Sequence, residues 1–205
     1  MTGHNGSGQA ELLIMHTNNL SLWDFATGLY SQDRVSQLCL ELQDEYDQDV
    51  CLLLFLCWYG QRFGLIEAEL LARCQEFSRQ WQDAVVAPLR QSRRWLKSYL
   101  QAETARLDAS FSQAGKEFRE SVKEREQTAE RLQLERLQGL VRDAAADDAG
   151  QDKGKQEGSA GSSTAISGCL LALLTDKGLS PDGLQEKLTE LATAASRFAQ
   201  SELES

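Results

Sequence analysis

Ten consecutive apolar residues, Val50 to Tyr59, constrain this chain more than any other feature of its sequence. A membrane span needs about 20 such residues, so the run is too short to cross a bilayer and has to be hidden inside protein. Coiled as a helix it is apolar on every side, and a helix of that kind belongs in the middle of a bundle. Asp49 stands where it can cap the first turn, and Gly60 or Gly64 can end the helix.

The flanking segments read as the neighbours that such a helix requires. Ser21 is a candidate N-cap with Asp24 three residues on, and Leu22, Phe25, Ala26 and Leu29 then fall on one helical face. From Asp33 a second helix places Val35, Leu38, Cys39 and Leu42 together. A fourth, from about Leu65 to Ala87, aligns Ile66, Leu70, Cys74, Phe77, Trp81 and Val85. Pro88 is expected to break or kink it, because proline has no N–H and its ring clashes with the preceding turn.

The next segment, Leu89 to Leu100, can run on into a long charged helix from about Glu103 to Arg142. Leu107, Phe111, Ala114, Phe118 and Val122 form a heptad-like seam there, and Leu134, Leu137 and Val141 resume it out of phase. The break favours a helix folded back on its own bundle over a long coiled coil. Residues 145–163 are small, polar and Gly-rich and cannot bury area. Beyond them Ala165–Leu174 is apolar, and Leu184, Leu188, Leu191, Ala195 and Phe198 line a last helix after Ser180-Pro181.

With no sustained strand alternation and no repeat, the fold class is all-α: a multi-helix bundle with a long charged helix, a flexible Gly/Ser-rich linker and a C-terminal helical hairpin. The expected division is a disordered leader over 1–18, the bundle over 19–143, the linker over 144–163 and the hairpin over 164–205. About 40 residues are too few to be stable alone, so the hairpin should dock on the bundle or on a partner. A composition of 41% hydrophobic and 25% charged residues excludes collagen, wholesale disorder and a multi-span membrane protein. Met1–Asn18 has no Lys or Arg and only the short apolar run Leu12–Met15, which is no secretory signal. The five cysteines, Cys39, Cys51, Cys57, Cys74 and Cys169, form no C-x-x-C pair. These features together read as a reduced, cytoplasmic protein.

The net charge of −10 is uneven: −7 over residues 1–60, +3 over 61–100, −1 over 101–143 and −5 over 144–205. In the basic part, Arg90, Arg93, Arg94 and Lys97 make a helical stripe with Trp95 and Tyr99 interleaved. Arginine beside aromatics can serve nucleic acid through phosphate contacts and stacking. Overall acidity disfavours that use, and a solvated stripe, or one facing the acidic first 60 residues, is the preferred reading.

Asp44, Glu45, Asp47 and Asp49 make a second cluster, of an oxygen-rich kind that suits Mg²⁺ or Ca²⁺. The Ca²⁺-loop template fails, since Asp49 stands where Gly is needed and Phe55 where Glu is needed. These acids are weak metal candidates, and capping of the next helix is preferred. The only histidines, His4 and His16, lie in the leader. A bundle without His lacks the parts of a Glu-x-x-His di-iron site, a His-based zinc site or a Ser–His or Cys–His pair. No phosphate-binding Gly loop occurs either. Cys74, beside Arg73, is the least unsuitable thiol nucleophile.

Several of these residues recur in one set. Leu22-Trp23-Asp24-Phe25, Leu42-Gln43-Asp44-Glu45-Tyr46, Asp49-Val50-Cys51-Leu52-Leu53-Leu54-Phe55 and Trp58-Tyr59-Gly60 resemble the signature of a small proteobacterial family of conserved hypothetical proteins, a domain of unknown function. Val86-Ala87-Pro88-Leu89-Arg90 with Arg93, Arg94 and Lys97 is similar to it too. The resemblance covers roughly residues 20–100 and extends toward 143, leaving the linker and hairpin unlike anything shared. It implies no activity, ligand or catalytic residue.

Trp23 and Trp58 read as core anchors, with a pocket or partner groove as the alternative use. Asp44, Glu45 and Asp49 facing Arg90, Arg93 and Arg94 could form an ionic lock inside the bundle. The functional expectation is a non-enzymatic adaptor or regulator that acts by contact with an unidentified protein partner and needs no cofactor. Two alternatives accompany it: a divalent-metal-dependent or lipid-handling all-α enzyme using Asp44–Asp49, and an anionic-surface or nucleic-acid binder using Arg90–Lys97.

Overall fold

The structure is a computed structural model, and it describes residues 20–104, 106–149, 163–175 and 183–202. Helix α1 (Leu22–Tyr30) starts as its sequence indicates: Ser21 Oγ accepts the Asp24 N–H at 3.1 Å and donates to Asp24 Oδ2 at 2.6 Å. Helix α2 (Asp33–Tyr46) follows, and both bury the faces their spacing predicts, Leu22, Phe25, Ala26 and Leu29 on one, Val35, Leu38, Cys39 and Leu42 on the other.

The apolar run forms α3 (Val50–Phe63), capped by Asp49 Oδ1, which accepts from Cys51 N–H at 2.9 Å and Leu52 N–H at 3.3 Å. Every residue from Cys51 to Trp58 is buried. Helix α3 packs against α1, α2 and all the later helices except α5, so it is the axis of the bundle.

Helix α4 (Ala68–Trp81) begins after a bend and does not stop at Pro88. A π-helical turn, Gln82–Val86, joins it directly to α5 (Ala87–Ala102). The Ala87 N–H bonds to Gln82 O, one residue further back than in an α-helix. That extra residue lets the chain pass Pro88, whose missing N–H and bulky ring would spoil an α-helical ladder, so the expected break becomes a change of register.

The chain then reverses instead of running on, and α6 (Ala109–Ala149) lies back along α5. Its 41 residues span about 60 Å at 1.5 Å each. Leu134, Leu137 and Leu140 enter the core, whereas in the earlier seam Val122 is buried and Phe111 and Phe118 are not. Helix α6 also extends past 144 into the segment expected to be linker; residues 150–162, the 1–18 leader and Ser180-Pro181 lie outside the described residues.

Helices α7 (Ser163–Thr175) and α8 (Leu184–Ser201) close the bundle on the far side of α3. Ile166, Cys169, Leu170, Leu188 and Leu191 are wholly buried and share one core with α1–α3. Gly60 makes this docking close: a Cβ there would lie 2.7 Å from Ile166 Cα. Arg34 clasps Glu190 with two bonds of 2.6 and 2.8 Å, and Lys187 Nζ meets Glu41 at 2.5 Å, fixing α8 against α2. Among the described residues no strand occurs, and no helix is long and apolar enough to cross a membrane.

Candidate functional site

The basic stripe of α5 is largely spent inside the molecule. Arg90 Nε donates to Glu126 Oε1 at 3.0 Å and its Nη2 to Glu130 Oε1 at 2.9 Å. Arg93 donates from Nε and Nη2 to the same Glu126 carboxylate. Arg94 Nη2 reaches Asp44 Oδ1 at 2.8 Å across the gap to α2. Lys97 is exposed.

Glu126 is 5% exposed, and burial alone would raise its pKa; the guanidiniums of Arg93 and Arg90 outweigh that and hold it below the usual carboxylate range. Glu130 has one guanidinium partner, and there burial wins and lifts the carboxyl.

The acidic cluster divides. Asp49 turns inward, where Ser78 Oγ–H, Gln133 Nε2 (2.5 Å) and Gln82 Nε2 (3.0 Å) donate to its carboxylate besides the two capping N–H groups. Burial raises its pKa, and those hydrogen bonds oppose the rise. Asp44 faces Arg94, Glu45 lies 3.9 Å from Lys187 Nζ, and Asp47 ends α2 in a left-handed conformation with φ 50°. Among the described residues no three His, Cys, Asp or Glu side chains are grouped to hold a metal ion. The expected ionic lock is thus one pair, Arg94–Asp44: Asp49 is engaged in the core, and Arg90 and Arg93 find their acids on α6.

Sequence reasoning missed those acids and amides. Val122, Glu126, Ala129, Gln133 and Leu137 step by three and four along α6 and are all buried, so the seam does not lose phase at Val122. It continues through a glutamate and a glutamine whose partners lie on α5 and at Asp49. Their helical spacing was the available signal, and their polarity concealed it.

Trp58 is a core anchor, 5% exposed, its Nε1 donating to Leu20 O at 3.2 Å. Trp23 is half-buried under the Arg131 guanidinium, 5.0 Å from its ring, at the edge of a cleft of about 630 Å³ that also meets Tyr30, Arg90 and Glu130. The five cysteines are free and buried. Burial pushes Cys39 and Cys74 up to about 12, far from a reactive thiolate.

The outer half of the α5–α6 hairpin has the opposite character. Trp95, Phe111 and Phe118 are 60%, 51% and 61% exposed. Trp95 stacks on Tyr99 with centroids 5.0 Å apart and planes 11° from parallel. Beside these rings lies a groove of about 380 Å³ bordered by Leu96 and Leu100 and floored by Ala114 and Gly115. Gly115 lets the two helices close up, because a Cβ there would meet Leu100 Cδ2 at 2.7 Å.

Residues 21–137, more than half of the chain, match the family described as protein of unknown function (DUF2390). The chain belongs to that family. No curated protein and no solved structure matches it. The DUF2390 segment contains the Asp49 network, the Arg90–Glu126 pairing and the aromatic face, and it stops part-way along α6. Helices α7 and α8 lie beyond it, yet they supply much of the core around α3.

Proposed function

We propose that the protein is a non-catalytic cytoplasmic adaptor or regulator, and that it meets a protein partner through the aromatic face of the α5–α6 hairpin. The observation that carries this reading is the exposure of Trp95, Phe111 and Phe118 together beside an apolar groove. Contiguous exposed aromatic surface is what protein interfaces use, and it is otherwise a liability in water. Two further features support it. The buried carboxylates are engaged by side chains of the same chain, which is how structural acids are held. Three of the four cations of the stripe pair internally, which leaves little for phosphates.

The test is a photo-crosslinking amino acid, p-benzoylphenylalanine, placed at Phe118 and separately at exposed Gln185 on α8, in cells that express the protein natively. Defined protein adducts from position 118 and none of them from 185 are expected. The same adducts from both positions, or none from 118, would sink the contact reading.

A further inference from the structure

We propose that the occupant of the aromatic face is a second copy of this chain, the two α5–α6 hairpins packing about a two-fold axis as a four-helix bundle. The proposal rests on the contact reading above and adds the partner's identity.

Charge favours it first. A two-fold interface sets one surface against itself, so that surface cannot carry a surplus of one sign. Trp95 and Tyr99, four residues apart, share one side of α5 with Ser92, while Arg90, Arg94 and Lys97 step along another side. Phe111 and Phe118, seven apart, share one side of α6. No charged side chain lines the groove between them. The arginines of α5 are matched within the chain by Glu126, Glu130 and Asp44, so they set no unmatched guanidinium against a second hairpin. The rest of a chain of net charge −10 keeps other faces apart.

Shape comes second. Each copy offers both a knob and a hole, the exposed Trp95 and Phe118 rings and the groove over Ala114 and Gly115. Knobs from one helix pair entering holes of another is how antiparallel bundles pack.

Area sets the strength. Aromatic side chains of about 150–250 Å² each, exposed as they are here, leave roughly 350 Å² per copy and about 700 Å² for the pair. With the half-buried Leu96 and Tyr99 and a polar rim, the total approaches the ~1,200 Å² at the small end of specific interfaces. The dimer is therefore weak and depends on concentration. Nucleic acid, by contrast, would need cations in the groove, and the groove holds none.

The test is sedimentation equilibrium of the full chain over about 1–200 μM, with Phe118→Glu on the face and Leu40→Glu on exposed α2 as control. Reversible dimerisation is expected, weakened at least about tenfold by Phe118→Glu, as for a central aromatic anchor, and unchanged by Leu40→Glu. Should Phe118→Glu lose its helical circular dichroism, Trp95→Gln carries the same test. A wild-type chain that stays monomeric, while position 118 still crosslinks to a different protein, overturns the second copy and leaves the contact reading intact. A monomer with no adduct from 118 overturns both. A dimer that Phe118→Glu leaves unweakened overturns the face.

Discussion

Burial raises the Asp49 carboxyl against the pull of Ser78, Gln133 and two capping N–H groups, whereas the Arg93 and Arg90 guanidiniums overcome burial and lower Glu126. The two groups therefore contribute to stability with opposite signs. Asp49 binds its proton more tightly folded than unfolded, so its contribution is full below the ordinary value and fades as pH rises through the raised one. Glu126 contributes above its ordinary value and loses that contribution as pH falls through the lowered one. The expected outcome is that Glu126→Gln flattens the acid limb: the loss of urea stability between about pH 6 and about pH 3.5 becomes smaller than in the wild type. An unchanged difference would mean that the carboxylate is not held by its arginines. Asp49 was legible beforehand as a helix cap, because capping is a local pattern. Its partners Ser78, Gln82 and Gln133 were not, because only the folded chain brings α3, α4 and α6 together.

Helical faces such as Leu22, Phe25, Ala26 and Leu29 were legible because an apolar residue every third or fourth position has one use. Two features of the helices were not. Pro88 signals a break, and whether a chain stops or absorbs the proline in a π turn depends on α6, which holds α5 in place through Glu126 and Glu130. The reversal before Ala109 has no Gly or Pro to announce it. Packing between helices gives a sharper prediction at Gly60. Alanine is the better helix former by about 1 kcal/mol, so an open site would gain from Gly60→Ala. Here the new Cβ would press on the Ile166 backbone, and a net loss of about 1–3 kcal/mol in chemical denaturation is expected. A gain would show that α7 does not sit against α3.

At the scale of the molecule, helices α1–α4, α6, α7 and α8 share one hydrophobic core among the described residues, so the C-terminal helices dock on the bundle. The apolar run Val50–Tyr59 of α3 needs cover on every side, and α7 and α8 provide part of it with Ile166, Leu170, Leu188 and Leu191. Removing residues 150–205 is expected to abolish cooperative thermal unfolding and to expose apolar surface to a dye such as ANS. A sharp transition in the truncated chain would show that the bundle folds without α7 and α8. The same reasoning explains why one apolar surface stands apart from this core: the outer hairpin meets α2 through the exposed Arg94–Asp44 pair, and among the described residues Trp95, Phe111 and Phe118 stay largely exposed. The most direct measurement is hydrogen exchange along the full chain at about 2 μM and about 200 μM. Slower exchange at the higher concentration, confined to residues 91–102 and 109–122, is the result the self-association account requires. Exchange that is unchanged there, or slowed on another helix, would contradict it.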